Sequence, residues 1–421
     1  NDIPSIIVTY NNIGSLLVRE GNNDAAMKFF EQSLEISKKL DKSESVPHLI
    51  NLSSIHALNG NFDVALEMIE EAFQISKNSN NIKGMASSTN KKGLIYDLKG
   101  DSQTAIKHYK NSLEIVQKRG FLDLETYCLN QIGVILAKEK KLDDAINLFM
   151  KALDIAQKIE NKYARASLNE NLGKVFHNKE DYLTAYFYFD NAFIFFQKLN
   201  FKENQINCLK IMINITEKQG NFKKVLFNYN ILIEIYCKSK KYAEIGRIFI
   251  EKAKIFSKLG KLNFALVYFK KALKFNEDIN IGIEADIYNN LGYITLRLNK
   301  INKAIIYLEG AIKLYRKLND FSKLEYCLNA LGGIYLRMRD FSKAFANINE
   351  SLDINTQINN HIGIASNHKL LGDLHFLQGK KKNAENCYRN SLIRLGSHLS
   401  NEPNIINKMN TLIQLIKRCK N

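Results

Sequence analysis

Leu331-Gly332-Gly333-Ile334-Tyr335, then Asp340-Phe341-Ser342-Lys343-Ala344, then Ser351-Leu352-Asp353-Ile354, is the stretch whose reading decides the fold. It reads as one unit of an array: a small residue, Gly332, on a first helix, a tight turn, and a second small residue, Ala344, on a second helix. Gly332 and Ala344 are twelve residues apart, and the same interval separates Gly14 from Ala26, Gly93 from Ala105, Gly133 from Ala145, Gly173 from Ala185, Gly292 from Ala304 and Gly372 from Ala384. Looser copies run from Ser53 to Ala65, Ile213 to Val225 and Ala253 to Ala265, so the second-helix anchors step by 39 or 40 residues throughout. A period this regular marks a solenoid and outranks any local feature.

Small residues belong at such points because two helices approach closely only where little side chain intervenes; a larger group there costs about 1–3 kcal/mol in strained packing. Four residues past the anchor comes a bulky residue, such as Phe30, Tyr109, Phe149, Phe189, Tyr229, Phe269 or Tyr388, and three further on usually Ala or Ser. Steps of four and then three follow one face of a helix. Gly21, Gly60, Gly100, Gly220, Gly260 and Gly379 lie between the helices. Glycine permits the positive φ of a helix C-terminal cap.

The Leu331-Gly332, Tyr335, Ala344, Ile348, Ser351 series, and Gly133, Leu136, Ala145, Phe149, Ala152 in another copy, resembles the tetratricopeptide repeat family. The resemblance covers nearly the whole chain. Two departures, a repeat near 40 residues rather than 34 and no proline closing the second helix, resemble the family's long-helix branch. The expected fold is all-α, a right-handed α-α superhelix of about ten helix-turn-helix repeats over residues 1–400, with a C-terminal capping helix in 401–421. Ile405, Ile406, Met409, Leu412, Ile413 and Ile416 are expected to form the stripe by which that helix covers the last apolar face. Alternatively it opens an eleventh repeat. Repeat six, where Ile213, Val225 and Leu232 replace small residues, is expected to hold its helices farther apart or at an altered angle, with a local change in superhelix curvature.

Composition limits the function classes. No apolar stretch reaches the ~18 residues of a membrane span. The six cysteines form no CxxC pair, and Cys128, Cys208 and Cys327 share one register position, which suggests packed, reduced thiols in a cytoplasmic setting. No HExxH, Cys-His spacing or phosphate loop occurs among the eight histidines, so neither enzyme activity, metal nor cofactor is expected. The net charge of +17 is uneven: residues 201–275 hold 16 basic and 5 acidic residues, residues 1–80 hold 6 and 11. The chain begins at Asn1 rather than Met, which fits a piece of a longer protein.

The resemblance implies that first helices line a groove, with side chains three residues before and one after the small position facing it. Three before stand Asn11, Asn90, Asn130, Asn289 and Asn329, with Glu170, Lys210 and Lys369 in other repeats. An amide offers donors and an acceptor to an extended peptide backbone; general asparagine richness explains the recurrence equally well. Basic candidates are Lys174, Lys210, Arg247, Lys254, Lys258, Arg297 and Arg337, read either as a solvated face or as a channel that draws in an acidic segment. The expected function is a non-enzymatic scaffold that binds an extended or helical, acidic segment of a partner protein, with nucleic acid and membrane disfavoured and self-association open. The alternative is the regulatory array of a larger signalling protein whose catalytic domain lies elsewhere.

Overall fold

The computed structural model describes residues 3–19, 21–275, 280–396 and 403–420, and these are helical apart from short turns, with no strand among them. The helices pair in chain order. Repeats one to three are α1 (Ile3–Arg19) with α2 (Asn23–Leu40), α3 (Val46–Leu58) with α4 (Phe62–Asn78), and α5 (Ile82–Leu98) with α6 (Ser102–Arg119). Repeats four to six are α7 (Leu122–Lys138) with α8 (Leu142–Lys158), α9 (Lys162–Asn178) with α10 (Tyr182–Lys198), and α11 (Lys202–Lys218) with α12 (Phe222–Lys238). Repeats seven to ten are α13 (Tyr242–Lys258) with α14 (Leu262–Lys274), α15 (Ile281–Arg297) with α16 (Ile301–Leu318), α17 (Phe321–Arg337) with α18 (Phe341–Gln357), and α19 (His361–Leu377) with α20 (Lys381–Gly396). α21 (Pro403–Lys420) follows.

Two compact units result, residues 1–228 and 229–421, and the division falls inside α12, in the repeat that lacks the small residues. Ile213, Val225 and Leu232 are nonetheless buried. The core of each unit runs on from repeat to repeat: one buried cluster links α15 to α19 in the C-terminal unit, and smaller clusters follow one another in the N-terminal unit. All ten anchors, from Ala26 through Val225 to Ala384, are 0 % exposed. Each glycine at the small first-helix position lies against the bulky residue of its own repeat. A Cβ on Gly332 would sit 2.6 Å from Ile348 Cγ1, and one on Gly133 would sit 2.6 Å from Phe149 Cε1. Ile348 is fully buried and has nowhere to retreat. Gly332→Val is therefore expected to cost about 1–3 kcal/mol; urea unfolding measures it, and an unmoved midpoint refutes the close-approach account.

Serine at the third small position does more than save space. The hydroxyls of Ser33, Ser112, Ser351 and Ser391 each donate to a carbonyl oxygen 26 residues earlier on the paired helix: Ile7, Ala86, Glu325 and Ala365, at 3.2, 2.8, 3.0 and 2.7 Å. A buried hydroxyl needs such a partner.

The six expected turn glycines all have positive φ, from +68° to +88°. Elsewhere the same conformation is taken by Asn80, Lys140, Glu160, Glu180, Asn200, Lys240, Asn299, Asn319, Arg339 and Asn359. The turn is thus set by the helix packing, and glycine only relieves its strain.

In the C-terminal unit α17, α18 and α19 enclose a polar knot. Asn355 Nδ2 donates to Glu325 Oε2 at 2.8 Å and to Asn367 Oδ1 at 2.9 Å. Asn360 Nδ2 donates to Glu325 Oε1 at 3.3 Å and to Asn355 Oδ1 at 2.7 Å. Glu325, Asn355 and Asn367 are buried. Burial pushes the Glu325 carboxyl above its ordinary value, against the hydrogen bonds from Asn355, Ser351 and Asn360. A Cβ at Gly363 would collide with Asn355, which accounts for the glycine in Ile362-Gly363-Ile364.

α21 packs on α20, joining Ile405, Leu412 and Cys419 to Ala384, Tyr388 and Leu395, with Met409 and Ile416 partly buried beside them. Ile406 and Ile413 differ from the expected stripe: they are 48 % and 41 % exposed, one position round the helix from Ile405 and Leu412.

Candidate functional site

The first helices of the N-terminal unit frame a cleft of about 700 Å³, bounded by α3, α5 and α7 and the turns beside them. Asn51, Asn81, Ser87 and Asn90 supply amides and hydroxyls, Lys83 and Lys91 the positive charge, and Tyr127 an aromatic wall. Glu44 is the carboxylate on the lining. Lys91 Nζ lies 5.8 Å from the centroid of the Tyr127 ring, a distance at which the ring face attracts a cation. Burial holds the Lys91 ammonium below the usual lysine value and the Tyr127 phenol above the usual tyrosine value. No ion pair to Lys91 is formed among the described residues. A carboxylate entering the cleft meets a partly desolvated cation without a counter-ion.

Of the asparagines singled out in the sequence, only Asn90 lines this cleft. All five are engaged between consecutive first helices of one unit. Asn51 Nδ2 donates to Asn11 Oδ1 at 2.8 Å, and Asn171 Nδ2 to Asn130 Oδ1 at 2.8 Å. Asn90 Nδ2 donates to Cys128 Sγ at 3.0 Å, Cys327 Sγ to Asn289 Oδ1 at 3.3 Å, and Ser366 Oγ to Asn329 Oδ1 at 3.4 Å. Their recurrence therefore has a structural cause, register between neighbouring repeats, and only the remaining amide capacity is open to a ligand. Asn329 Nδ2 is buried without a partner.

The basic candidates fall into three groups. Lys174, Arg247 and Lys254 are paired with Glu170, Glu244 and Glu251, at 2.6, 2.9 and 2.8 Å. Lys258, Arg297 and Arg337 are the final residues of α13, α15 and α17, as Lys138 and Lys218 are of α7 and α11. A cation there is favoured by the helix dipole whatever the groove does. Lys210 is exposed on α11. Lys91, Asn51 and Tyr127 were missed because the cleft is lined from two and six residues before the small position as well as three. The signal available was the recurrence of polar residues at Asn51, Lys91, Gln131 and Asn171.

Cys128, Cys208, Cys327 and His48 carry packing, whereas Cys237 is exposed. Cys128, Cys208 and Cys327 are buried, and burial pushes the thiols of Cys208 and Cys327 up to about 12, so neither is a nucleophile near neutral pH. His48 is buried and 3.0 Å from Ser33 Oγ through Nδ1, while His56 and His375 are half-buried. Among the described residues no group of three His, Cys, Asp or Glu is placed to hold a metal ion, and no helix is long and apolar enough to cross a membrane.

Comparison with known proteins follows the same lines. A tetratricopeptide repeat model matches residues 5–78, 44–118, 84–158 and 324–392, and a second one residues 285–318. A PPR repeat model matches residues 227–251, around the division between the units. Solved structures similar to this chain include BtubC from P. vanneervenii, at 16 % identity over 57 % of this chain and 93 % of that one, TM-score 0.44. The apo form of RapI is similar at 16 % identity over 64 % and 97 %, TM-score 0.42, and Pseudomonas aeruginosa pilF at 15 % over 58 % and 98 %, TM-score 0.38. No curated protein sequence matches. Since the first repeat model covers more than half of the residues, in register with the helix pairs described above, the chain belongs to the tetratricopeptide repeat family.

Proposed function

We propose that this protein is a non-enzymatic interaction module that holds an extended, acidic segment of a partner protein against the first helices of its N-terminal unit. Tetratricopeptide repeats are interaction scaffolds and generally not catalytic, which supports the class. The observation that carries the finer reading is the cleft between α3, α5 and α7: about 700 Å³, walled by amides and hydroxyls, with an unpaired lysine over a tyrosine ring. Amides and hydroxyls suit peptide main chain, and the lysines select an acidic side chain. Lys210, exposed in the same unit, adds steering charge that salt screens.

The test is fluorescence anisotropy with labelled extended peptides, one series carrying Glu and a matched series carrying Gln. The Glu series is expected to bind more tightly, by at least roughly tenfold at low salt, the size of one charge-assisted contact. Lys91→Glu removes that preference, whereas Lys210→Glu changes mainly the salt dependence. Equal binding of the two series, or a Lys91→Glu variant that keeps the preference, rejects the cleft as the site.

A further inference from the structure

We propose that the outer face of the C-terminal unit docks on a membrane surface by holding the phosphorylated headgroup of an anionic lipid between α16 and α18. The geometry is a cavity of about 460 Å³ between α16 and α18, floored by Leu328, Leu331 and Tyr335 of α17. Its lining includes Lys313, Arg316, Lys317 and Lys343 with Tyr335, and one carboxylate, Glu309. Glu309 accepts a hydrogen bond from Tyr335 Oη at 3.2 Å. Arg316 is paired with Glu350 at 2.6 Å and Lys343 with Asp340 at 3.4 Å. Lys313 and Lys317 make no ion pair among the described residues. Two uncompensated ammonium groups, one helical turn apart and facing an open cavity, fit a phosphate, whose oxygens accept from several donors at once.

A second observation points to lipid as the source of that phosphate. The residue two places after the small anchor is polar in repeats one to four: Lys28, Glu67, Lys107 and Asn147. In the next four repeats it is Phe187, Phe227, Val267 and Ile306, and then Ala346 and Asn386. Of these, Val267 and Ile306 belong to the C-terminal unit and are 48 and 64 % exposed. In the C-terminal unit Ile306 shares one stripe of α16 with Lys313 and Lys317, seven and eleven residues on. α14 adds Phe264 and Val267 to Lys270, Lys271 and Lys274, and carries no acidic residue. Apolar side chains interleaved with lysine are the chemistry of a face lying at a lipid headgroup layer. A second copy of the chain is a poor occupant, because the same face on both partners would set lysine against lysine.

The test is co-sedimentation of the full chain with phosphatidylcholine vesicles alone, with added phosphatidylserine, and with added phosphatidic acid, each at low and high salt. Soluble inositol hexakisphosphate is the headgroup-like competitor without a bilayer. Wild-type protein is expected to sediment with phosphatidic-acid vesicles, less with phosphatidylserine and not with phosphatidylcholine. Lys313→Gln with Lys317→Gln should weaken sedimentation by roughly tenfold or more, about 1 kcal/mol per basic residue. Val267→Asn with Ile306→Asn should weaken it on vesicles while leaving inositol hexakisphosphate binding unchanged. These positions are exposed, so the helical circular-dichroism signal should be retained. Binding of inositol hexakisphosphate without vesicle binding overturns the lipid assignment. No binding to either, or full vesicle binding by both double variants, overturns the site. None of these outcomes touches the peptide cleft, which lies in the other unit.

Discussion

Phe149→Ala should unfold its repeat. Phe149 is fully buried among Ala145, Ala152, Leu153 and Leu172, and its ring lies across Gly133 where the paired helices meet. Truncating a buried phenylalanine typically costs about 3–5 kcal/mol, part transfer and part cavity. Gly133 cannot fill the space, since it has no side chain, and the anchors around it are already in contact. A solenoid communicates only between neighbours, so the loss should appear locally before it appears globally. Hydrogen exchange is expected to accelerate in α7 and α8, then in α6 and α9, with the C-terminal unit unaffected. An unchanged urea midpoint, or exchange raised uniformly along the chain, rules this out.

Asn355→Ala should be nearly as damaging, and in a pH-dependent way. Asn355 donates to the buried Glu325 carboxylate and to Asn367 and accepts from Asn360. Removing a hydrogen-bond donor from a buried charge costs about 1.5–3 kcal/mol. The sign of the pH effect follows from the direction of the shift. Burial raises the Glu325 carboxyl in the folded state, so the folded protein binds that proton more readily than the unfolded chain does. Its contribution to stability is therefore most favourable below the ordinary carboxylate value and declines as pH rises through the folded value. Without Asn355 the carboxylate loses a stabilising donor and its folded value rises further. The variant is expected to be much less stable than wild type at neutral pH and closer to it in mild acid. Glu325→Gln should flatten this dependence, because the amide stays neutral at every pH while still filling the site. Thermal unfolding of the three proteins at neutral and mildly acidic pH measures it, and a gap between Asn355→Ala and wild type that widens toward acid contradicts the mechanism.

The repeat was legible because its cause is local. A glycine twelve residues from an alanine, with a ring four residues on, states a packing constraint directly, and every anchor is buried. The turns were legible where glycine marks them and silent where Lys140, Glu160 or Arg339 adopts the same positive φ, since those residue types carry no turn signal. The site was harder to read. Asn11, Asn130 and Asn289 recur at one register and so attract a functional reading, but their partners Asn51, Asn171 and Cys327 lie one repeat away. Only a structure shows which of two neighbouring amides faces outward. Lys258, Arg297 and Arg337 gave a basic signal for a different reason, the polarity of a helix end. Lys91 gave only a weak one, as one of the polar residues recurring two places before the small position, because its distinction, burial over the Tyr127 ring with no ion pair among the described residues, is a matter of packing rather than of residue type.

The side-chain bonds between first helices join residues 37 to 41 positions apart. A nascent chain therefore needs only one further repeat to leave the ribosome before each link can close. Assembly can keep pace with translation, and the newest helix pair is the only part that waits with its apolar edge uncovered.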